Sequence, residues 1–248
     1  MWNALVRSMK KQGWFFVHAL TGVHLSTPIH YLDWSMMSAS FPVPVAKIKE
    51  KLPSKNLIPV QSAPGTATIV LKAIEVRQIR GYPPYNEFAV EVPAVYEVAG
   101  KAAGLPGSYI LHMPVTTEEA RWGGVEINGM PKFIAEIRFE DVGEVRRCEV
   151  QAEGKAIITL EVKKLVTKPH SWDWYLYGVR DGQLLRTLVQ IQGQRGTADV
   201  RGGALFTLGD HPIAEELRSL EIDNTSIAHE YAPQLQSLLN PPGERLPL

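Results

Sequence analysis

Apolar and polar positions alternate with a period of two through much of this chain. The clearest case is 87–96, where Phe88, Val90, Val92, Ala94 and Tyr96 interleave with Glu87, Ala89, Glu91 and Pro93. That pattern predicts a strand with two different faces. A β-branched run at Ala67–Val76 and stretches at Tyr109–Val115, Phe133–Phe139, Glu144–Ala152 and Lys155–Val166 continue the series, many of them separated by glycine-rich breaks. Trp172–Val179, Leu184–Gln192 and Ala204–Leu208 predict later strands. Helical signals are few. Val45–Leu52 predicts a short helix stopped by Pro53. Asp210-His211-Pro212 before Glu215-Glu216 predicts another, with Asp210 as N-cap and Ile213, Leu217 and Leu220 on one face. Many strands, few helices and no βαβ alternation predict an α+β domain, predominantly antiparallel β. Closure into a barrel lets so many strands avoid exposed edges. Residues 1–40, rich in Trp, Met and His with mixed periodicity, are expected to form an N-terminal arm, helical or irregular, that packs or makes an oligomer contact. Residues 41–248 form the domain.

At 248 residues one core can bury most of the apolar surface without a disulfide or metal staple. Lys plus Arg balances Asp plus Glu at 26 each. The broad basic excess of a nucleic-acid or anionic-membrane binder is therefore missing, and neither partner is expected. No apolar run approaches the ~20 residues that span a bilayer, and Trp14–Leu20 is short for a secretion signal and interrupted by His18. Cys148 is the single cysteine, which excludes an intrachain disulfide and a cysteine-based zinc site. It also fits a reducing, cytoplasmic compartment. The seven histidines make no His-x-x-x-His pair, so no metal is expected.

The stretch richest in chemistry is Gly124-Val-Glu126-Ile-Asn-Gly129-Met-Pro131-Lys132. It places a lysine directly after a proline, at the start of an apolar strand-like run. Desolvation disfavours an ammonium group, and an amine without its extra proton attacks ketones and aldehydes to give a Schiff base. Lys132 is the candidate nucleophile.

Four segments, in order and spacing, resemble the acetoacetate decarboxylase family. They are Tyr85-Asn86-Glu87 with its strand and Pro93; Gly107-Ser-Tyr109-Ile-Leu-His-Met113; Gly124-x-Glu126-x-x-Gly129-x-Pro131-Lys132; and Leu208-Gly-Asp210-His211-Pro212-Ile-Ala214-Glu215-x-Leu217. The match runs from about Phe41 to about Gly243, and the third segment is the specific one. The resemblance implies a cone-shaped closed β-barrel with a few peripheral helices, assembled as a homo-oligomer. It implies Lys132 as the Schiff-base lysine and Glu87 as an active-site glutamate that moves protons. It also implies a small keto acid or ketone as substrate, and no metal or organic cofactor. Activation of that lysine is a known property of the family and not a finding from this sequence. The reaction implied is decarboxylation of an acetoacetate-like β-keto acid.

Three departures bear on the substrate. Many members carry a second lysine after the first, where this chain has Phe133. A second acidic position of the family falls on Lys72. The family's decarboxylases use an arginine in the N-terminal part of the domain, and none occurs here between Arg7 and Arg77. Lys72, inside the same cavity, would replace the neighbouring cation or pair with a substrate carboxylate. Tyr109, Met113 and Phe133 join it as the expected substrate contacts. Glu126 is expected to give structural support by bonding amides of a Gly-rich turn before Lys132.

An enamine made from pyruvate or another ketone can instead attack an aldehyde, so a Schiff-base aldolase or aldolase-dehydratase is the first alternative. A non-catalytic barrel that binds a small carbonyl or lipid-like ligand is the other. The plainest reading is a solvated lysine, since Lys132 shares strand parity with Glu136, Arg138 and Glu140. The motif around it favours the catalytic role. Elsewhere, His112 reads as a satisfied, partly buried histidine, and Trp172–Tyr177 as sheet packing.

Overall fold

The computed structural model describes residues 27–248. In chain order come β1 (Ile29–Pro44), α1 (Val45–Lys49), β2 (Leu57–Pro59), β3 (Gln61–Ala63), β4 (Thr66–Ile79), β5 (Tyr85–Val98), β6 (Lys101–Ala102) and β7 (Gly107–Val115). Next are α2 (Glu118–Asn128), β8 (Lys132–Ile134), β9 (Glu136–Val142), β10 (Val145–Ala152) and β11 (Lys155–Lys163). The chain ends with β12 (Lys168–Arg180), β13 (Gln183–Ala198), β14 (Ala204–Leu208), α3 (Pro212–Ser219), β15 (Ala228–Leu239) and β16 (Glu244–Leu246).

Seven strands close a barrel in the order β5-β4-β1-β15-β13-β12-β7, with the β5–β7 pairing completing the ring. An odd number of strands cannot close with every neighbour antiparallel. Here the mismatch falls at β7–β12, the one parallel pair in the ring. A second antiparallel sheet, β14-β11-β10-β9, lies outside. Strand alternation gives the barrel two apolar faces. Met37, Ala39 and Phe41 of β1, Ile69 and Leu71 of β4, and Phe88 and Val90 of β5 point outward and pack on Ile137, Val150, Leu160 and Val162 of the second sheet. Residues of opposite parity point inward and surround a cavity. The predicted antiparallel, β-rich barrel with few helices is the observed architecture.

Several local expectations change. The arm boundary at residue 40 falls inside β1, because residues 29–40 make up most of a central barrel strand between β4 and β15. Both faces of β1 are buried, one in the cavity and one in the outer core, so no polar face marks it as a strand. The apolar run 14–20 lies outside the described residues. Phe133–Phe139 is two strands, broken at Ala135: β8 pairs with the barrel and β9 with the second sheet. The parity that linked Lys132 to Glu136 and Glu140 therefore does not hold through the break. The cap of α3 is His211, whose Nδ1 accepts from the Ile213 amide at 3.1 Å, with Pro212 opening the helix as expected. Asp210 lies one residue too early.

His229 on β15 is buried, and neither ring nitrogen has a hydrogen-bond partner. Burial, aided by Lys163, holds its pKa below the ordinary histidine value. The unfolded chain then binds a proton that the native state refuses, so His229 favours the native state above the ordinary value of ~6.5 and opposes it as pH falls below it. The urea midpoint at pH 5 should fall below that at pH 7.5, and the drop should shrink in His229→Leu. An equal drop in that variant would assign the acid sensitivity elsewhere.

Candidate active site

Lys132 reaches the barrel by a β7–α2–β8 crossover. β8 lies parallel to β7 and sets Lys132 opposite Met113. The Gly-rich stretch before Lys132, expected to be a turn, begins at Gly123-Gly124. It is the second half of a helix capped by Thr117, whose side chain accepts from the Ala120 amide, with Glu118 and Glu119 in the first turn. Gly129 ends the helix at φ 66° and its amide bonds the Val125 carbonyl, a left-handed termination that favours glycine. The Thr117 cap and the Gly129 stop were the available signals; Gly123-Gly124 in mid-helix hid them.

Gly124 serves Lys132. A Cβ built on Gly124 would stand 2.3 Å from Lys132 Cδ and 2.5 Å from Cε, so the helix lies directly against the lysine stem. Ala120 and Asn128 sit one turn to either side of Gly124 and also line the cavity. Gly124→Ala should lower kcat by about 100-fold, the effect of displacing a reacting group by roughly 1 Å. Alanine at a mid-helix site otherwise stabilises by roughly 1 kcal/mol over glycine, so a loss of activity would not reflect a weaker helix. Unchanged kcat would show that the stem moves aside freely.

The Lys132 Nζ lies 2.5 Å from Glu87 Oε2, with the two side chains only 6% and 9% exposed. Glu87 projects inward from β5, and the Tyr85 ring lies 5.6 Å from the same Nζ. Tyr85 and Tyr31 share a hydroxyl hydrogen bond of 3.1 Å. Burial first, then each other and Glu87, raises the pKa of Tyr85; burial and Glu87 raise that of Tyr31. Both stay protonated at neutral pH and form a neutral wall.

Lys72, on β4, enters the same cavity, where Glu91 holds it at 2.8 and 2.9 Å. Met113 lines the cavity as expected. Tyr109 and Phe133 do not. A one-residue register shift between β5 and β7, at Val90/Glu91, reverses parity along β7. Ser108 and Met113 thus face inward, while Tyr109 packs outward near Tyr96 and Tyr177. Phe133 follows Lys132 on β8 and points to the outer core. Glu126 lies in the last turn of α2, where its main-chain carbonyl and that of Ile127 accept from Arg180 Nη1. The support seen at that position is this tie between α2 and β12.

The sequence reading missed other lining residues. Trp172 and Trp174, expected to pack the sheet, face the cavity, and Trp174 Nε1 donates to Ser108 Oγ at 3.2 Å. Arg195 lies 4.5 Å over the Trp172 ring and is held by Glu230 at 2.5 Å. Nothing in the 35-residue separation of Arg195 and Glu230 announces that pairing. His112 is satisfied as expected, by Glu216 at 3.1 Å, with burial lowering its pKa. Cys148 is buried in the outer core, and burial raises its thiol pKa. No group of three or more His, Cys, Asp or Glu among the described residues is placed to hold a metal ion, and no helix there is long and apolar enough to cross a membrane.

The family model for acetoacetate decarboxylase (ADC) matches residues 21–238. The chain belongs to the acetoacetate decarboxylase family. Among solved structures, one from structural studies of acetoacetate decarboxylase aligns with a TM-score of 0.67 at 13% identity, covering 90% of each chain. Acetoacetate decarboxylase from Legionella pneumophila aligns at 0.66 and 13%, covering 93% of each. The enduracididine biosynthesis enzyme MppR, complexed with pyruvate, aligns at 0.62 and 14%, covering 91% of this chain and 93% of that one. At these identities the likeness is one of fold. Comparison with curated protein sequences returns no match.

Proposed function

We propose that this chain is a cofactor-independent carbon–carbon lyase that forms a Schiff base on Lys132 and decarboxylates an acetoacetate-like 3-oxo acid. The observation that carries the reading is the buried 2.5 Å contact between Lys132 Nζ and Glu87 Oε2 on the cavity wall. Glu87 takes a proton from the ammonium group and leaves a neutral amine. The amine adds to the substrate ketone, and Glu87 returns the proton to the departing hydroxyl, which leaves as water. The resulting iminium accepts the electron pair of the adjacent carbon–carboxylate bond. Carbon dioxide leaves, an enamine remains, and a proton added at carbon restores the iminium. Water then hydrolyses it, releasing the ketone and the lysine. A cytoplasmic, homo-oligomeric protein is part of this reading, supported by a single buried cysteine and by the family.

A second reading is a Schiff-base aldolase or aldolase-dehydratase, and one observation favours it. Each cavity cation already has a carboxylate: Lys132 with Glu87, Lys72 with Glu91, Arg195 with Glu230. Among the described residues none is left over for a substrate carboxylate, that of a 3-oxo acid or of pyruvate, so an aldolase donor that is a simple ketone fits this pairing best. The likeness to MppR, whose structure holds pyruvate, is a separate support for the aldolase reading. Borohydride reduction with keto acids and ketones, read by peptide mass spectrometry, tests the common step. A reduced adduct on Lys132 is expected; its absence, under conditions that trap a known Schiff-base enzyme, removes both readings. Release of carbon dioxide without borohydride decides for decarboxylation.

A further inference from the structure

The cavity measures about 470 Å³, within the ~300–1,000 Å³ of sites that hold drug-sized ligands. A four-carbon keto acid occupies a small part of it. Its lining is also graded from end to end. On β13 the cavity residues run from Val189 through Ile191 to Arg195. Six residues of extended chain make that distance about 20 Å. On β4 the order is reversed, as antiparallel strands require: Val70 and Lys72 first, then Ile74, Val76 and Ile79. β15 runs from Glu230 to Leu239, and β1 from Ile29 and Trp34 to Ser38. On all four strands Lys72, Arg195, Glu230 and Ser38 share one end and most of the apolar residues the other, with Val70, Tyr31 and Ser237 departing from the grading. Register ties the ends together, since Val189 pairs with Leu239 and Leu239 with Ile29, while Glu230 pairs with Ser38 and Ser38 with Lys72.

Glu87 sits between these ends on β5, two residues from Tyr85 on the apolar side and four from Glu91 on the polar side. Lys132 therefore meets its substrate part-way along the cavity. Among the described residues the apolar end offers no cation, only Asp173 and tyrosine and serine oxygens among its apolar side chains, and the polar end has its cations paired. We infer that the natural substrate is a carbonyl compound with a long alkyl or aryl substituent, its carbonyl at Lys132, that substituent in the Trp34–Val189–Leu239 end, and its small polar end toward Lys72 and Glu91. The inference rests on the Schiff-base reading for the placement of the carbonyl, and on the lining alone for the substituent.

The test uses the full-length protein and two unbranched series. In the first, 3-oxo acids of four to ten carbons are compared by kcat/KM for carbon dioxide release, and the matching methyl ketones by borohydride capture on Lys132. Both should improve roughly three- to fourfold per added methylene until the end is full. In the second, secondary alcohols of the same lengths, which cannot form an imine, are titrated against the fluorescence of the cavity tryptophans. Their Kd should tighten with the same slope. Val189→Phe, which shortens the apolar end, should flatten both slopes. A chain-length slope for the alcohols without any Lys132 adduct would sustain the substrate class and overturn the Schiff-base reading. Adducts formed equally well by acetone and by long ketones would sustain the Schiff base and overturn the inference. So would flat alcohol titrations, or slopes that Val189→Phe leaves unchanged.

Discussion

Lys132→Arg is expected to retain the fold and lose turnover by on the order of 10⁴-fold or more, the scale of removing a covalent nucleophile. Arginine keeps the positive charge opposite Glu87 but does not give up its proton in proteins, so it cannot attack a carbonyl. The variant thus separates the charge of the lysine from its nucleophilicity. Lys132→Met removes both. It leaves the Glu87 carboxylate, 9% exposed, without its cation. Breaking a buried pair on one side costs roughly 3–5 kcal/mol, while replacing both members by neutral groups of similar volume is often near neutral. Lys132→Met should therefore lower the urea midpoint more than the double variant Lys132→Met/Glu87→Gln, although both are inactive. Residual turnover in Lys132→Arg near the parent level would end the covalent reading. Equal midpoints for the single and double methionine variants would show that Glu87 needs no cation in the native state.

The alternating segments made the barrel legible, because Glu87 and Glu91 mark the inner face of β5 against Phe88, Val90 and Val92 outside. β1 was illegible for the opposite reason: Trp34 and Met36 face the cavity while Met37 and Phe41 face the outer core, and a strand apolar on both sides has no period of two. Within the site, Lys132, Glu87, Lys72 and Met113 were readable from motif and parity. Tyr109 and Phe133 were misplaced: a register shift in the β5–β7 pairing turns Tyr109 away from the face that Met113 shares, and the residue after an inward lysine points outward. Arg195 and Glu230 could not be read at all. Barrel closure brings β13 and β15 together, and local sequence does not record it.

Glu87→Gln should lower kcat by roughly 10²- to 10⁴-fold, the range of a lost general acid–base. Glutamine keeps the shape and a hydrogen-bonding oxygen toward Nζ but cannot accept the lysine proton or return it to the departing hydroxyl. The control is Glu91→Gln. Glu91 is four residues along the same strand face and equally inward, yet it is paired with Lys72 and not with the nucleophile. Both changes leave a buried cation without its anion, so both should destabilise the native state by comparable amounts. Only the first removes proton transfer at the reacting nitrogen. Pre-steady-state capture of acetone, which carries no polar end to meet Lys72 and Glu91, should then be slow in Glu87→Gln and close to the parent rate in Glu91→Gln. Equal losses of kcat in the two variants would make Glu87 a counter-ion only, and the proton would have to be carried by water in a cavity whose Tyr85 and Tyr31 hydroxyls stay protonated.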